Sequence, residues 1–173
     1  MSAFAFAVNY LLQNEGGLVD NPHDEGGITN FGISYRYYKT IYPDAIPDDI
    51  RNITIYQAKE FYKKMFWDHS RWQEITCQVT ANLVFDMHVS MGMAAATKIL
   101  QRGLCCVAGN ANWLLDDGIF GDNTLRMINA LKDIDLLSIA LRSERAGYYR
   151  DIVVKDPSQK IFLEGWLNRA YGM

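Results

Sequence analysis

The sequence predicts a mainly α chain with one small β-hairpin beside its first helix, and three observations carry that reading. Apolar residues recur at helical spacing from the N-terminus, at Phe4, Ala7, Val8, Leu11 and Leu12. Capping and breaking residues mark out a series of further helices downstream. Between residues 16 and 34 the chain changes character, with five glycines, Asn21-Pro22 and the polar run His23-Asp24-Glu25, which is loop chemistry.

Residues 3–14 form the first amphipathic helix, stopped by Gly16-Gly17. Ile28-Thr29-Asn30-Phe31 has strand character and makes one arm of the hairpin. An excursion as long as 16–34 in a compact chain usually serves function. Residues 35–42 form a short helix capped by Ser34, and Pro43 to Asp49 is a turn-rich connector. Thr54 with Gln57 makes a capping box that opens a helix running to about Trp67. A helix over 78–90 carries the stripe Leu83, Val84, Met87 and Met91; Gly92 interrupts it and helical character resumes over 94–104. A loop with Asp116-Asp117-Gly118 spans 107–121, and helices follow at about 122–132 and 134–152. Pro157, after Asp156, opens a last helix that ends near Gly172. The Gly-, Ala- and Cys-rich stretch at 92–110 is the candidate boundary between a first lobe, 1–92, and a second, 93–173.

Composition removes several classes of function. With 173 residues, 49% of them hydrophobic, the chain can bury a core without staples. Net charge is −3 with no run of Lys or Arg, so no nucleic-acid partner is expected. Cys77, Cys105 and Cys106 are too few and too oddly spaced for a disulfide framework; they read as free thiols of a protein made in a reducing compartment. The N-terminal segment lacks a basic start and a small-residue cleavage site, so no secretory signal is expected. No apolar stretch suits a membrane span. His23, His69 and His88 are the histidines, each near an aspartate, but without HExxH or paired helical spacing they predict no metal site. No GxSxG nucleophile is present either, and nothing calls for a cofactor.

Glu15 is the most informative residue. It extends the apolar series 4, 8, 11 by one helical step, which sets a carboxylate where the core-facing stripe meets the glycine loop. Burial there is expected to raise its pKa, and the helix C-terminus acts in the same direction. A carboxyl that keeps its proton near neutral pH suits a general acid. Position alone favours a Glu15 that caps a turn or pairs with a base. Glycoside hydrolysis needs a second group, either a base that orients water or a nucleophile. Asp24 follows Glu15 by nine residues and Thr29 follows Asp24 by five; a carboxylate and a hydroxyl can hold one water between them. Asp24 could instead brace Gly26-Gly27. Asp20 and Glu25 are weaker candidates for the same task.

The segment Glu-Gly-Gly-Leu-Val-Asp-Asn-Pro-His-Asp-Glu-Gly-Gly-Ile-Thr-Asn-Phe-Gly-Ile-Ser, residues 15–34, resembles the signature loop of glycoside hydrolase family 108, a group of lysozyme-like N-acetylmuramidases. The resemblance implies a lysozyme-like helical fold, cleavage of the β-1,4 bond between N-acetylmuramic acid and N-acetylglucosamine, and Glu15 as the catalytic acid. The Glu-Asp-Thr spacing is similar to that of phage-type lysozymes, though one residue shorter in the second gap, and implies that Asp24 and Thr29 position water. Such a water-holding pair suggests inversion at the anomeric carbon. Phe85-Asp86 with Val89-Ser90-Met91-Gly92 resembles the family's FDxxVNxG segment, with Ser90 in place of Asn. Asn30, Tyr35, Asp86 and Ser90 are set down as candidate sugar contacts; an aspartate at position 86 of a helix also suits a bond to a backbone amide or an arginine.

Further resemblance runs through Leu100-Gln101, Asp117-Gly-Ile-Phe-Gly-Asp-Asn-Thr124, Arg145 with Tyr148-Tyr149, and Gly165-Trp-Leu-Asn-Arg169. These are similar to the peptidoglycan-binding segment that accompanies the family, with Asp122 where Pro is common. The partner implied is bacterial peptidoglycan. Synthesis in the cytoplasm and action in the periplasm or cell wall follow from the same resemblance, with a holin pore or a secretion system for delivery. The alternative reading is a non-catalytic wall-binding or secretion-scaffold protein on the same fold.

Overall fold

The computed structural model describes residues 1–20, 27–110 and 113–172. It is mainly helical, with a single two-stranded antiparallel sheet among the described residues. Helix α1 spans Phe4–Asn14 and buries Ala7, Val8 and Leu11, the face that periodicity marked. Strands β1 (Thr29–Asn30) and β2 (Ile33–Ser34) form the hairpin. Helix α2 (Tyr35–Ile41) follows, with the Ser34 hydroxyl accepting the Tyr37 amide as its cap. The connector expected at 43–49 gives way to a short helix α3 (Pro47–Arg51), because Pro47 sits at its first turn, where no amide donor is needed.

The Thr54–Gln57 capping box opens α4 (Ile55–Tyr62). The helix expected to reach Trp67 loosens instead into a π turn over Lys63–Trp67. That wider turn sends neighbouring rings to different places. Trp67 enters the core against Phe4 and Phe85, with ring centroids at 5.6 and 5.3 Å, while Phe66 lines a surface cavity. A 3-10 turn at Trp72–Glu74 leads into α5 (Gln78–Met91). Gly92, at φ 86, breaks the path before α6 (Met93–Ala108). Then come α7 (Asp122–Ala130), α8 (Ile134–Lys155), a 3-10 turn over Pro157–Phe162, and α9 (Leu163–Tyr171).

Helix α5 is the axis of the molecule. It buries Thr80, Ala81 and every residue from Leu83 to His88, as a helix does when it is covered on several sides. Helices α1, α6 and α8 pack on it, and α8 carries α9. One buried cluster joins Ala7 and Leu11 of α1, Ile33 of the hairpin and Phe85 of α5 with Leu100, Leu104, Ile128, Leu137 and Leu141 from beyond residue 92. The two segments on either side of Gly92 therefore share a core. No described helix is long and apolar enough to cross a membrane.

Sharing a core predicts cooperative unfolding. Leu137→Ala, at a fully buried position in α8, should cost about 2–5 kcal/mol. Denaturation followed by the fluorescence of Trp67 and Trp72 should show the loss as one shifted transition. A Leu137→Ala curve that leaves those tryptophans at the wild-type midpoint would show that the halves unfold separately.

Candidate active site at the hairpin and the C-terminal helix

Glu15 is the C-cap residue of α1, with extended backbone at φ −92 and ψ 138. The chain thus leaves the helix as the apolar stripe ends, and the side chain is left 15% exposed. One carboxylate oxygen, Oε1, accepts a hydrogen bond from Arg169 Nη2 at 2.7 Å. That arginine comes from α9, 154 positions away in sequence.

The hairpin turn closes over the carboxylate. Phe31 at φ 49 and Gly32 at φ 76 are its two central residues, the left-handed pair that a tight two-residue hairpin requires. Phe31 is strained there, and the Tyr62 hydroxyl holds it by donating to the Phe31 carbonyl at 2.8 Å. A β-carbon on Gly32 would overlap the Glu15 carboxylate, Oε2 foremost, and come within 2.8 Å of the Tyr62 hydroxyl. Only glycine satisfies both the backbone angle and this approach. Burial, and next the charge of Glu15, raise the Tyr62 phenol above its ordinary range, which keeps it a donor. The strand expected at Ile28–Phe31 is shortened accordingly, since Phe31 turns the chain.

Behind Glu15 lies a buried charge network. Asp86 in α5 has no exposed side-chain surface, and Arg145 in α8 has 3%. Arg145 Nη1 donates to Asp86 Oδ2 at 2.6 Å, and Arg169 Nη2 donates to Oδ1 at 2.7 Å. Arg145 also donates to the Tyr149 hydroxyl and to Ser90 Oγ, each at 3.2 Å. Burial works to lower the Arg169 pKa, but Asp86 and then Glu15 outweigh it and hold the guanidinium above its usual value. Every charge here has a partner, as burial demands.

On the far side of Gly32 and Tyr62 opens a cavity of about 380 Å³, lined also by Ile33, Ser34, Tyr37, Phe61, Phe66, His88, Val89 and Gly92. Fully buried Trp72 donates its indole N–H to His88 Nδ1 at 3.1 Å. An indole nitrogen only donates, so Nδ1 is the bare nitrogen and the neutral ring carries its proton on Nε2. Burial pushes this imidazole down to about 4.

The other residues marked from sequence fall as follows. Thr29 lies in β1, its backbone paired with Val19 in both directions at 2.8 Å. Asp24 and Glu25 lie outside the described residues. Asp20 is at the surface, paired with Arg51 at 3.0 Å. Asn30, set down as a sugar contact, has a buried side chain that donates to the Ile50 and Arg51 carbonyls at 3.1 and 3.3 Å, tying the hairpin to α3. Of the two roles open to Asp86, the structure shows the bond to arginine: its fully buried carboxylate accepts from Arg145 and Arg169. Tyr35 is half-buried and donates to the Ala45 carbonyl at 3.1 Å. Ser90 is exposed, donates to the Asp86 carbonyl at 2.9 Å and accepts from Arg145.

Residues 8–92 match the family described as glycosyl hydrolase 108. That segment of the chain, with Glu15 and the hairpin in it, carries the family's pattern. Residues 95–171 match a second family, described as a predicted peptidoglycan domain. Together the two segments make it a peptidoglycan-related glycosidase. Among solved structures the chain is similar to one titled as the structure of Brucella abortus SagA. The two are 24% identical, over 97% of this chain and 89% of that one, with a TM-score of 0.72, so they share the lysozyme-like helical fold. No curated protein matches the chain.

Sequence reasoning passed over Arg169 and Arg145 as partners of Glu15 and Asp86, although both stand within motifs that resemble the second segment. The signal was available in Asp86, an aspartate inside an apolar helix face, which needs a cation. Tyr62, Phe66 and the cavity around His88 left no comparable mark.

Two predictions arise from these geometries. Asp86→Ala strands Arg145 and leaves Arg169 to Glu15 alone, and should cost about 3–5 kcal/mol in chemical denaturation; a loss under 1 kcal/mol would mean that the network carries little. His88 in the unfolded chain takes up a proton below pH about 6.5, whereas the folded chain does so only below about 4. Stability contributed by neutral His88 is therefore full above pH 6.5 and falls through that window, by up to about 3 kcal/mol. His88→Asn should flatten the slope of stability between pH 6.5 and 4, and an unchanged slope would contradict the assignment.

Proposed function

We propose that this protein is an N-acetylmuramidase that hydrolyses the β-1,4 bond between N-acetylmuramic acid and N-acetylglucosamine in peptidoglycan. The observation that carries the reading is the state of Glu15. One of its oxygens is held by Arg169, and the other faces the Gly32 turn, the single place in the hairpin where a side chain is missing.

Glu15 acts as the general acid, giving its proton to the glycosidic oxygen as the bond to the anomeric carbon breaks. Arg169 fixes Oε1, which leaves Oε2 for the proton. Arg169 is also bound to Asp86, so protonating Glu15 leaves no buried charge alone. Asp24 and Thr29 position the attacking water on the opposite face of the sugar, with inversion as the outcome. The Thr29 hydroxyl has no hydrogen-bond partner among the described residues, which suits it to hold that water. Tyr35 and Ser90 are the sugar contacts retained in this reading.

The second segment, 93–173, then has a role at the site itself. It supplies Arg145 and Arg169, and so completes the catalytic lobe 1–92 from the far end of the chain. Action takes place at the cell wall, reached through a holin pore or a secretion system.

Clearing of purified sacculi tests the assignment. Glu15→Gln should lower the rate by about 10²–10⁴-fold without a change in fold, and equal clearing by both proteins would remove Glu15 from the mechanism. Arg169→Ala should lower kcat by about 10–100-fold with little change in KM, and Arg169→Lys should restore part of it. A purely structural Arg169 would instead lower stability in both variants and leave the kcat of the folded fraction intact.

A further inference from the structure

The cavity beyond Gly32 carries recognition chemistry that the cleavage step leaves unused. Its walls are largely rings: Tyr37 meets Phe61 edge-on at 5.9 Å, and Phe66 meets His88 edge-on at 5.3 Å. Apolar walls with a few placed polar groups are what small-ligand sites present. Tyr37 stands 41% exposed and His88 9%, so the tyrosine is at the mouth and the histidine at the floor.

His88 is the polar group that asks for a ligand. Its Nδ1 is taken by Trp72, so the ring's N–H is on Nε2. Trp72 is the ring's only hydrogen-bond partner among the described residues. That N–H is not sealed from solvent and lies at the cavity that His88 lines, where a bound acceptor would take the place of water. A neutral imidazole has no charge to offset a buried carboxylate or phosphate, so the acceptor that fits is a neutral carbonyl. Rings around the donor suit a methyl beside that carbonyl. An acetamido group has both. Gly32 and Tyr62 form the wall shared with Glu15, so a group bound here belongs to the sugar next to the reacting bond.

We propose that this cavity is the subsite for the 2-acetamido group of that sugar, with His88 Nε2–H donating to its carbonyl oxygen and Tyr37, Phe61 and Phe66 packing on its methyl. The inference deepens the muramidase reading and rests on it for the place of the scissile bond. It makes His88 a specificity residue: the protein distinguishes N-acetylated glycan from plain glucan here.

Binding of β-1,4-linked N-acetylglucosamine tetramer and of β-1,4-linked glucose tetramer to the Glu15→Gln protein, followed by NMR titration, tests it. The acetylated tetramer should bind about tenfold tighter and shift the resonances of His88, Tyr37 and Phe66. His88→Asn keeps an acceptor for the Trp72 indole but lacks the second nitrogen, so the fold should persist and the preference should vanish. His88→Gln, which reaches as far as Nε2 with an amide donor, should restore much of it. A preference that survives His88→Asn, or shifts that bypass the cavity, would overturn the proposal. If neither tetramer binds while Glu15→Gln still stops sacculus clearing, the subsite is wrong and the cleavage reading stands. If the acetylated tetramer binds at His88 but the wild-type protein releases no glycan products, the subsite stands and the cleavage reading fails.

Discussion

Asp86 has no contact with water and faces two arginines from two different helices. Taking one carboxylate and one guanidinium out of water costs several kcal/mol each, and only close pairing returns it. The pairing therefore dictates where α8 and α9 stand against α5. Arg145 docks α8 on Asp86, and Arg169 docks α9 on the same residue and reaches past it to Glu15. The position of the Glu15 carboxylate is thus tied to the core of the protein by a chain of charges. A displacement of α9 would release Glu15 and leave Asp86 to Arg145 alone, so the geometry of the site and the stability of the fold depend on the same contacts.

The hairpin supplies the other side of the site, by backbone conformation rather than charge. Two left-handed residues, Phe31 and Gly32, bring bare main chain against Glu15. The Tyr62 hydroxyl holds the turn from α4, just before the π turn that sends Phe66 into the cavity and Trp67 into the core. Acid, turn and cavity consequently share the residues Gly32 and Tyr62. In the reading proposed above, proton transfer and sugar recognition meet along that wall.

Local chemistry made much of this legible in the sequence. The step from Leu11 to Glu15 placed the carboxylate at the end of a buried stripe, Ser34 and Thr54 announced their helices, and Gly92 announced the break after α5. Within the run from Glu15 to Ser34, the hairpin at 29–34 lies against the Glu15 carboxylate. What escaped depends on distance or on unusual backbone angles. No periodicity links Arg169 to Glu15 across 154 positions. A phenylalanine at φ 49 contradicts the ordinary preference of its type, so a strand was expected through Phe31. Asp86 inside an apolar helix face suited an arginine, and two arginines meet it, whereas nothing local announced that buried Asn30 donates to the Ile50 and Arg51 carbonyls. Helix position allowed Glu15 to cap a turn or pair with a base, but could not reveal that the base is Arg169.

The account stands on Glu15 delivering a proton to a muramic glycosidic oxygen. Mass spectrometry of borohydride-reduced fragments from sacculi digested by the wild-type protein measures that act directly. Fragments ending in reduced N-acetylmuramic acid, and their absence after digestion with Glu15→Gln, are the predicted result. Fragments ending in reduced N-acetylglucosamine, cut peptides, or the same muramic ends from the Glu15→Gln protein would contradict it.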